Sequence, residues 1–163
     1  MRDETLLAFD FGLRRIGVAV GEARLGQARA LCCIDAESNA ARFAAIERLI
    51  AEWRPARLLV GKPLHEDGAA HEMTARCVRF AEQLRGRYRL PVEEVDERFS
   101  SLAADAALRD AACDSSSTAP APSRQRRLSA PSWQERKARI DAEAARVILQ
   151  AWLDDSAHHH AVV

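Results

Sequence analysis

The chain has 163 residues, is 48% apolar, and carries 24 basic and 24 acidic side chains for a formal net charge of zero. That length suits one domain core, and the apolar share excludes an intrinsically disordered chain. Neutrality excludes a surface that is basic throughout, so any affinity for nucleic acid has to come from local clusters of charge.

Residues 5–9 (TLLAF) form a short apolar run that stops at Asp10-Phe11-Gly12. Residues 15–21 and 28–34 are the next two strand-like runs. The short links holding Gly12 and Gly26 suit hairpins, so three antiparallel neighbours are predicted. From Asn39 to Trp53 the pattern changes: Phe43, Ile46, Leu49, Ile50 and Trp53 recur at helical spacing until Pro55 closes the helix. Residues 57–60 (RLLV) are a continuous apolar run, the pattern of a strand covered on both faces. A second helix fits 71–86, with Met73, Cys77, Phe80, Ala81 and Leu84 on one face, and 91–95 make a fifth, weaker strand.

Ser100 or Ser101 can cap a further helix to about Ala112. The Ser-, Ala- and Pro-rich stretch at about 113–131 packs no core and reads as a flexible loop. Ser132-Trp133-Gln134-Glu135 is a capping box, so the last helix starts there and is expected to run to about Leu153. Residues 156–163, including His158, His159 and His160, are expected to be a solvated, disordered tail. The domain is thus expected over residues 1–155. The order predicts an α/β fold: a mixed five-stranded sheet, three antiparallel strands and then two parallel ones, with helices on both faces.

No apolar run approaches the ~20 residues that span a bilayer. The opening MRDETLLAFDFG lacks a signal peptide's long apolar stretch and small-residue cleavage site. A cytoplasmic protein with no membrane partner is therefore expected. Cys32 and Cys33 are adjacent, a spacing that suits neither a disulfide nor a metal site. They read, with Cys77 and Cys113, as reduced thiols.

Three acids stand out. Asp10 ends the first strand, where sheets of this class gather their ligands, and Gly12 lets the backbone turn sharply behind it. Strand-ending Asp-x-Gly is also ordinary turn chemistry. Glu97 follows the fifth strand in VDERFSS, where a solvated loop paired to Arg98 is the equal alternative. Asp141 shares a stripe with Ala145, Ile148 and Trp152 in the last helix. An acid on a packing stripe costs free energy unless it is paired or holds metal, and a salt bridge to Arg98 or Lys137 is the alternative. Three such acids converging at one sheet edge would form a hard oxygen site suited to Mg²⁺ or Mn²⁺. Two ions there can activate water and stabilise the leaving oxygen of a phosphodiester. Basic residues cluster nearby: Arg14 and Arg15 flank the Asp10 turn, and Arg124, Arg126, Arg127, Arg136, Lys137 and Arg139 crowd the loop and the last helix. Such patches grip phosphates.

DFGLRRIGVAVG, LLVGKPLHEDG, VDERFSS and ARIDAEAARVILQAWL, in that order, resemble the YqgF-type family over nearly the whole chain, from about Leu6 to Leu153. Its members are described as Holliday junction resolvases and as nucleases maturing the 5′ end of pre-16S ribosomal RNA, with an RNase H-like fold. The resemblance implies that Asp10, Glu97 and Asp141 are catalytic, metal-binding acids, that Gly12 and Gly17 are structural, and that Arg98 and Ser101 lie beside the site. It implies structured RNA or branched DNA as substrate and pre-ribosomal particles as partners, and leaves monomer or homodimer open. Two features depart from the pattern. Leu13 stands where the family often has a small polar residue, and the 113–131 loop is longer and poorer in lysine. A non-catalytic RNA-binding assembly factor is the alternative from another class, against which the three acids argue. An actin-like ATPase, which also opens with Asp-x-Gly, needs two such domains and does not fit this length.

Overall fold

Seven residues in β1 (Thr5–Phe11) and eight in β2 (Arg15–Glu22) pair antiparallel through a short turn, with Asp10 opposite Gly17. The computed structural model describes residues 4–62, 72–96 and 132–160. Beyond the first hairpin come β3 (Gln27–Asp35), α1 (Asn39–Trp53), β4 (Arg57–Lys62), α2 (Glu72–Tyr88), β5 (Val92–Asp96) and a last helix, here α3 (Trp133–His160). The five strands form one sheet in the order β3-β2-β1-β4-β5. β2 is antiparallel to both β1 and β3, whereas β4 and β5 continue the sheet parallel to β1. This is the predicted mixed sheet.

Strand alternation divides the core into two layers. Leu7 and Phe9 of β1, Ile16, Val18 and Val20 of β2, and Leu58 and Val60 of β4 pack with Phe43 and Ile46 of α1 and Cys77, Phe80 and Leu84 of α2. The opposite face carries Leu6, Ala8, Ala19 and Leu59 against Ala145, Leu149 and Leu153 of α3. Leu58, Leu59 and Val60 are fully buried, as expected of a strand covered on both sides. One irregularity breaks the alternation. Val18 pairs with Cys32 but Ala19 pairs with Ala30, so Leu31 is an extra residue, a β-bulge, in the edge strand.

The helix ends follow from local chemistry. Ser38 caps α1 by accepting from the Ala41 amide at 3.2 Å. Arg54, left-handed at φ 46°, closes it by donating its backbone N–H to the Ile50 carbonyl at 2.9 Å. The capping box of α3 forms: Ser132 Oγ accepts from the Glu135 amide at 3.3 Å, and Glu135 accepts from the Ser132 amide at 2.7 Å. At its other end α3 overruns the expected stop near Leu153 and continues through His160. Residues 156–160 are therefore helix where the sequence suggested the start of a disordered tail. No Gly or Pro interrupts 154–160, and the Gln150 amide donates to Asp154 at 2.9 Å across one turn. The predicted helix before Ala112, the 113–131 loop and residues 161–163 lie outside the described residues.

Candidate active site

Asp10 lies near the carboxyl end of β1, half-buried, on the face that Leu6 and Ala8 share beneath α3. Its partner across the hairpin is Gly17, and the partner of Gly17 on the far side is Cys33 of β3. These three residues form one lateral row across three strands. α3 crosses above the middle of that row. A Cβ on Gly17 would fall 1.9 Å from the carbonyl oxygen of Asp141, so the helix backbone rests directly on the glycine. Asp141 is half-buried, and its carboxylate accepts from the Cys33 thiol at an Sγ–Oδ2 distance of 3.8 Å. Paired Cα atoms in an antiparallel ladder stand about 4.5–5.5 Å apart. Asp10 is thus one strand away from the residue on which Asp141 sits, and both acids belong to the α3 side of the sheet.

The surroundings of Cys33 follow from this. Its thiol is pushed up to about 11, first by burial and then by the negative charge of Asp141, with Arg15 pulling the other way. Cys33 is therefore a neutral donor to Asp141 rather than a thiolate. Lys137 does not pair with Asp141: its ammonium lies over the ring of Trp133, as does the guanidinium of Arg15. Arg15 also reaches Asp35 at 3.6 Å. Arg14, next to it at the turn, is exposed.

The turn behind Asp10 is tightly built. A Cβ on Gly12 would meet the Arg15 carbonyl oxygen at 2.5 Å. Arg42 of α1, only 6% exposed, donates to the carbonyls of Ala36, Gly12 and Leu13. One guanidinium thereby fastens the end of β3 and the β1–β2 turn to α1. Sequence reasoning passed over Arg42, although it sits on the stripe of Ile46, Leu49 and Trp53. A charge on an apolar stripe was the signal that singled out Asp141, and it was equally present here. The sequence marks Cys33 only as a reduced thiol, because its neighbour depends on strand pairing that its own segment does not reveal.

Of the three predicted acids, the fold brings Asp10 and Asp141 together. Glu97 lies outside the described residues, as do Arg98, Ser101, Arg124, Arg126 and Arg127. Among the described residues no group of three or more His, Cys, Asp or Glu side chains could hold a metal ion. The two carboxylates are hard oxygen donors of the kind Mg²⁺ and Mn²⁺ prefer, so what is present fits such an ion as part of a ligand set. No helix among the described residues is long and apolar enough to cross a membrane.

The chain is similar to a protein of Burkholderia mallei (strain SAVP1) named "Putative pre-16S rRNA nuclease", with 50% identity over 98% of this chain and 94% of the relative. The protein of that name from Burkholderia thailandensis is 48% identical over the same shares. Among solved structures, Thermus thermophilus RuvC in complex with a Holliday junction substrate superimposes with a TM-score of 0.51 at 17% identity, covering 92% of this chain and 93% of that one. At that identity the likeness speaks for the fold, which is RNase H-like. The model of the RuvX Holliday junction resolvase family matches residues 4–155, and the chain belongs to that family.

Proposed function

We propose that this protein is a metal-dependent endonuclease that hydrolyses phosphodiester bonds at the 5′ end of pre-16S ribosomal RNA, acting in the cytoplasm on pre-ribosomal particles. The observation that carries this reading is the meeting of Asp10 and Asp141 on one face of the sheet across Gly17. An acid from the first strand and one from the last helix thus lie on the same side of the sheet, one strand apart, which supports their acting as one site. The name borne by its relatives, pre-16S rRNA nuclease, favours RNA as the substrate. Membership of a Holliday junction resolvase family favours branched DNA as the second reading.

In this mechanism Asp10 and Asp141 would hold the divalent ion, Mg²⁺ or Mn²⁺, together with Glu97, the residue after Asp96 at the end of β5. When bound, the metal supplies an activated water and neutralises charge on the leaving oxygen. The chain's own tasks are placement and charge. Gly17 sets the height of Asp141 above β2. Arg42 holds the turn that follows Asp10. Arg14, Arg15, Arg98, Arg124, Arg126, Arg127 and Lys137 take phosphates along the strand, giving affinity that reads shape rather than bases.

The test is to incubate the purified protein with pre-16S RNA ends and with four-way DNA junctions, in Mg²⁺, Mn²⁺ or EDTA, and to map the products. Site-specific cuts in the RNA that need metal and vanish in Asp141→Asn support the proposal. Cuts confined to the junction transfer the activity to branched DNA. Binding without any cut in either metal overturns it in favour of a non-catalytic assembly factor.

A further inference from the structure

Trp133, the first residue of α3, is 59% exposed. A tryptophan normally hides most of its large apolar surface. Two cations from different elements flank this one: Arg15 Cζ of β2 and Lys137 Nζ, one turn further along α3, each 5.8 Å from the ring centroid. That is within cation–π range. Arg15 is itself fixed by Asp35. The indole is thus held in place from two directions while more than half of it stays open to solvent. A tether joining α3 to β2 would need the two contacts but not the open surface.

The location gives the open surface a use. Trp133, Lys137 and Asp141 follow one another at intervals of four, a single stripe along the helix. At 1.5 Å per residue, eight residues separate Trp133 from Asp141 by about 12 Å. A stacked strand rises ~3.4 Å per nucleotide, so that distance is on the order of three to four base steps.

We propose that Trp133 is a stacking platform for an unpaired base of the nucleic-acid strand, three or four nucleotides from the phosphate at Asp10 and Asp141, with Arg15 steadying the indole and the exposed Lys137 taking the adjoining phosphate. The proposal rests on the nuclease reading for the direction of the strand and adds a residue that grips bases rather than phosphates. Stacking of this kind tolerates any base, because each presents a π face. It demands an unpaired segment, because a paired base offers no free face. The site therefore selects substrates with a single-stranded flank.

The test is binding, measured in the Asp141→Asn background so that the strand stays intact. The probes are a fluorescein-labelled 12-nucleotide oligouridylate and a perfectly paired RNA duplex of the same length. The single strand is expected to quench tryptophan emission, and Trp133→Leu to remove most of that quenching. Trp133→Leu is also expected to weaken oligouridylate binding by about 5- to 150-fold, the range for losing one stacked base, while duplex binding stays within two-fold. Trp133→Phe, which keeps a π face, should restore most of the affinity. An unchanged oligouridylate affinity in Trp133→Leu overturns the proposal. So does an equal loss for single strand and duplex, or a Phe variant no better than Leu, each of which marks the tryptophan as a tether. A melting curve for each variant separates these results from misfolding. The nuclease reading stands or falls on wild-type cleavage alone: normal cutting with no stacking signal removes only the platform, and stacking without cutting removes only the nuclease.

Discussion

Gly17 lies beneath Asp141 so closely that a single added carbon would overlap the carbonyl oxygen of the aspartate. The obstacle is backbone, which cannot rotate away as a side-chain tip can. Gly17→Ala is therefore expected to lift the start of α3 from β2, at a cost of about 1–3 kcal/mol or more. Urea unfolding would read that as a lower midpoint. Cleavage should fall further than stability, since Asp141 moves with the helix. Gly21→Ala is the control: its nearest obstacle is the Leu149 side chain at 2.9 Å and its nearest backbone atom, the Gln27 carbonyl oxygen, stands at 3.1 Å rather than 1.9 Å, so the cost should be smaller. Equal stability losses with unimpaired cleavage in Gly17→Ala would detach the glycine from the site.

Asp10→Asn and Asp141→Asn should each abolish cleavage and leave the fold intact. The amide removes a hard anionic ligand, so the loss should exceed the ~10–100-fold typical of an outer-sphere partner. Substrate affinity should change little, because arginines carry the phosphate contacts. Thermal melts with and without Mg²⁺, run beside a cleavage assay, check this. Wild-type protein should gain stability from the metal, and the variants should gain less. A variant that cuts at the wild-type rate removes that residue from catalysis.

Arg42→Met should be among the most destabilising substitutions. Three backbone carbonyls lose a charged donor, and a hydrogen bond to a charged group is worth about 1.5–3 kcal/mol. Arg42→Lys should recover only part of this, because an ammonium lacks the planar fork that serves diverging acceptors. Amide exchange should show the 12–14 turn opening first in either variant. Protection there equal to wild type would mean that the turn holds its shape without Arg42.

Cys33 gives a pH-dependent readout of Asp141 that needs no substrate. Its thiol lies near 11 in the folded chain against an ordinary 9.0. Below pH 9 both folded and unfolded chains keep the proton, so the residue leaves stability untouched. As pH rises through the window from 9 to 11, the unfolded chain ionises first and stability falls. At pH 8 iodoacetamide should label Cys33 slowly in the native protein. Asp141→Asn removes one of the charges holding the thiol up, so labelling should accelerate, as peptide mass spectrometry would show. Native labelling as fast as in urea would contradict the contact.

Much of the fold was legible because periodicity and punctuation agreed. β1, β2 and β4 each carry a short apolar run bounded by Gly, Pro or charge, β5 is marked more weakly by Val92 and Val95 around two acids, and α1 is bracketed by its own cap and Pro55. Asp10 and Asp141 were legible for a different reason: each places a charge where packing alone would put an apolar group. Their closeness was not, since it depends on the Gly17–Asp141 contact between segments over a hundred residues apart. Arg42 escaped because a buried cation satisfied by carbonyls leaves no complementary acid to find. The end of α3 is not legible because its polar composition resembles that of a disordered tail, whereas a helix already anchored by Ala145, Leu149 and Leu153 needs only the absence of a breaker to continue.

The extra residue in β3 has a consequence for the history of the fold. Leu31 alone lacks a partner between the Val18–Cys32 and Ala19–Ala30 pairs. A chain without it would keep every other pairing, with Cys33 still opposite Gly17 and Ile34 still turned into the core. Elsewhere in a strand, losing one residue reverses every side chain beyond it. At Leu31 it would only straighten an edge. Insertions and deletions are usually absorbed by loops, but this sheet has a point within a strand where its length can change by one with the site undisturbed.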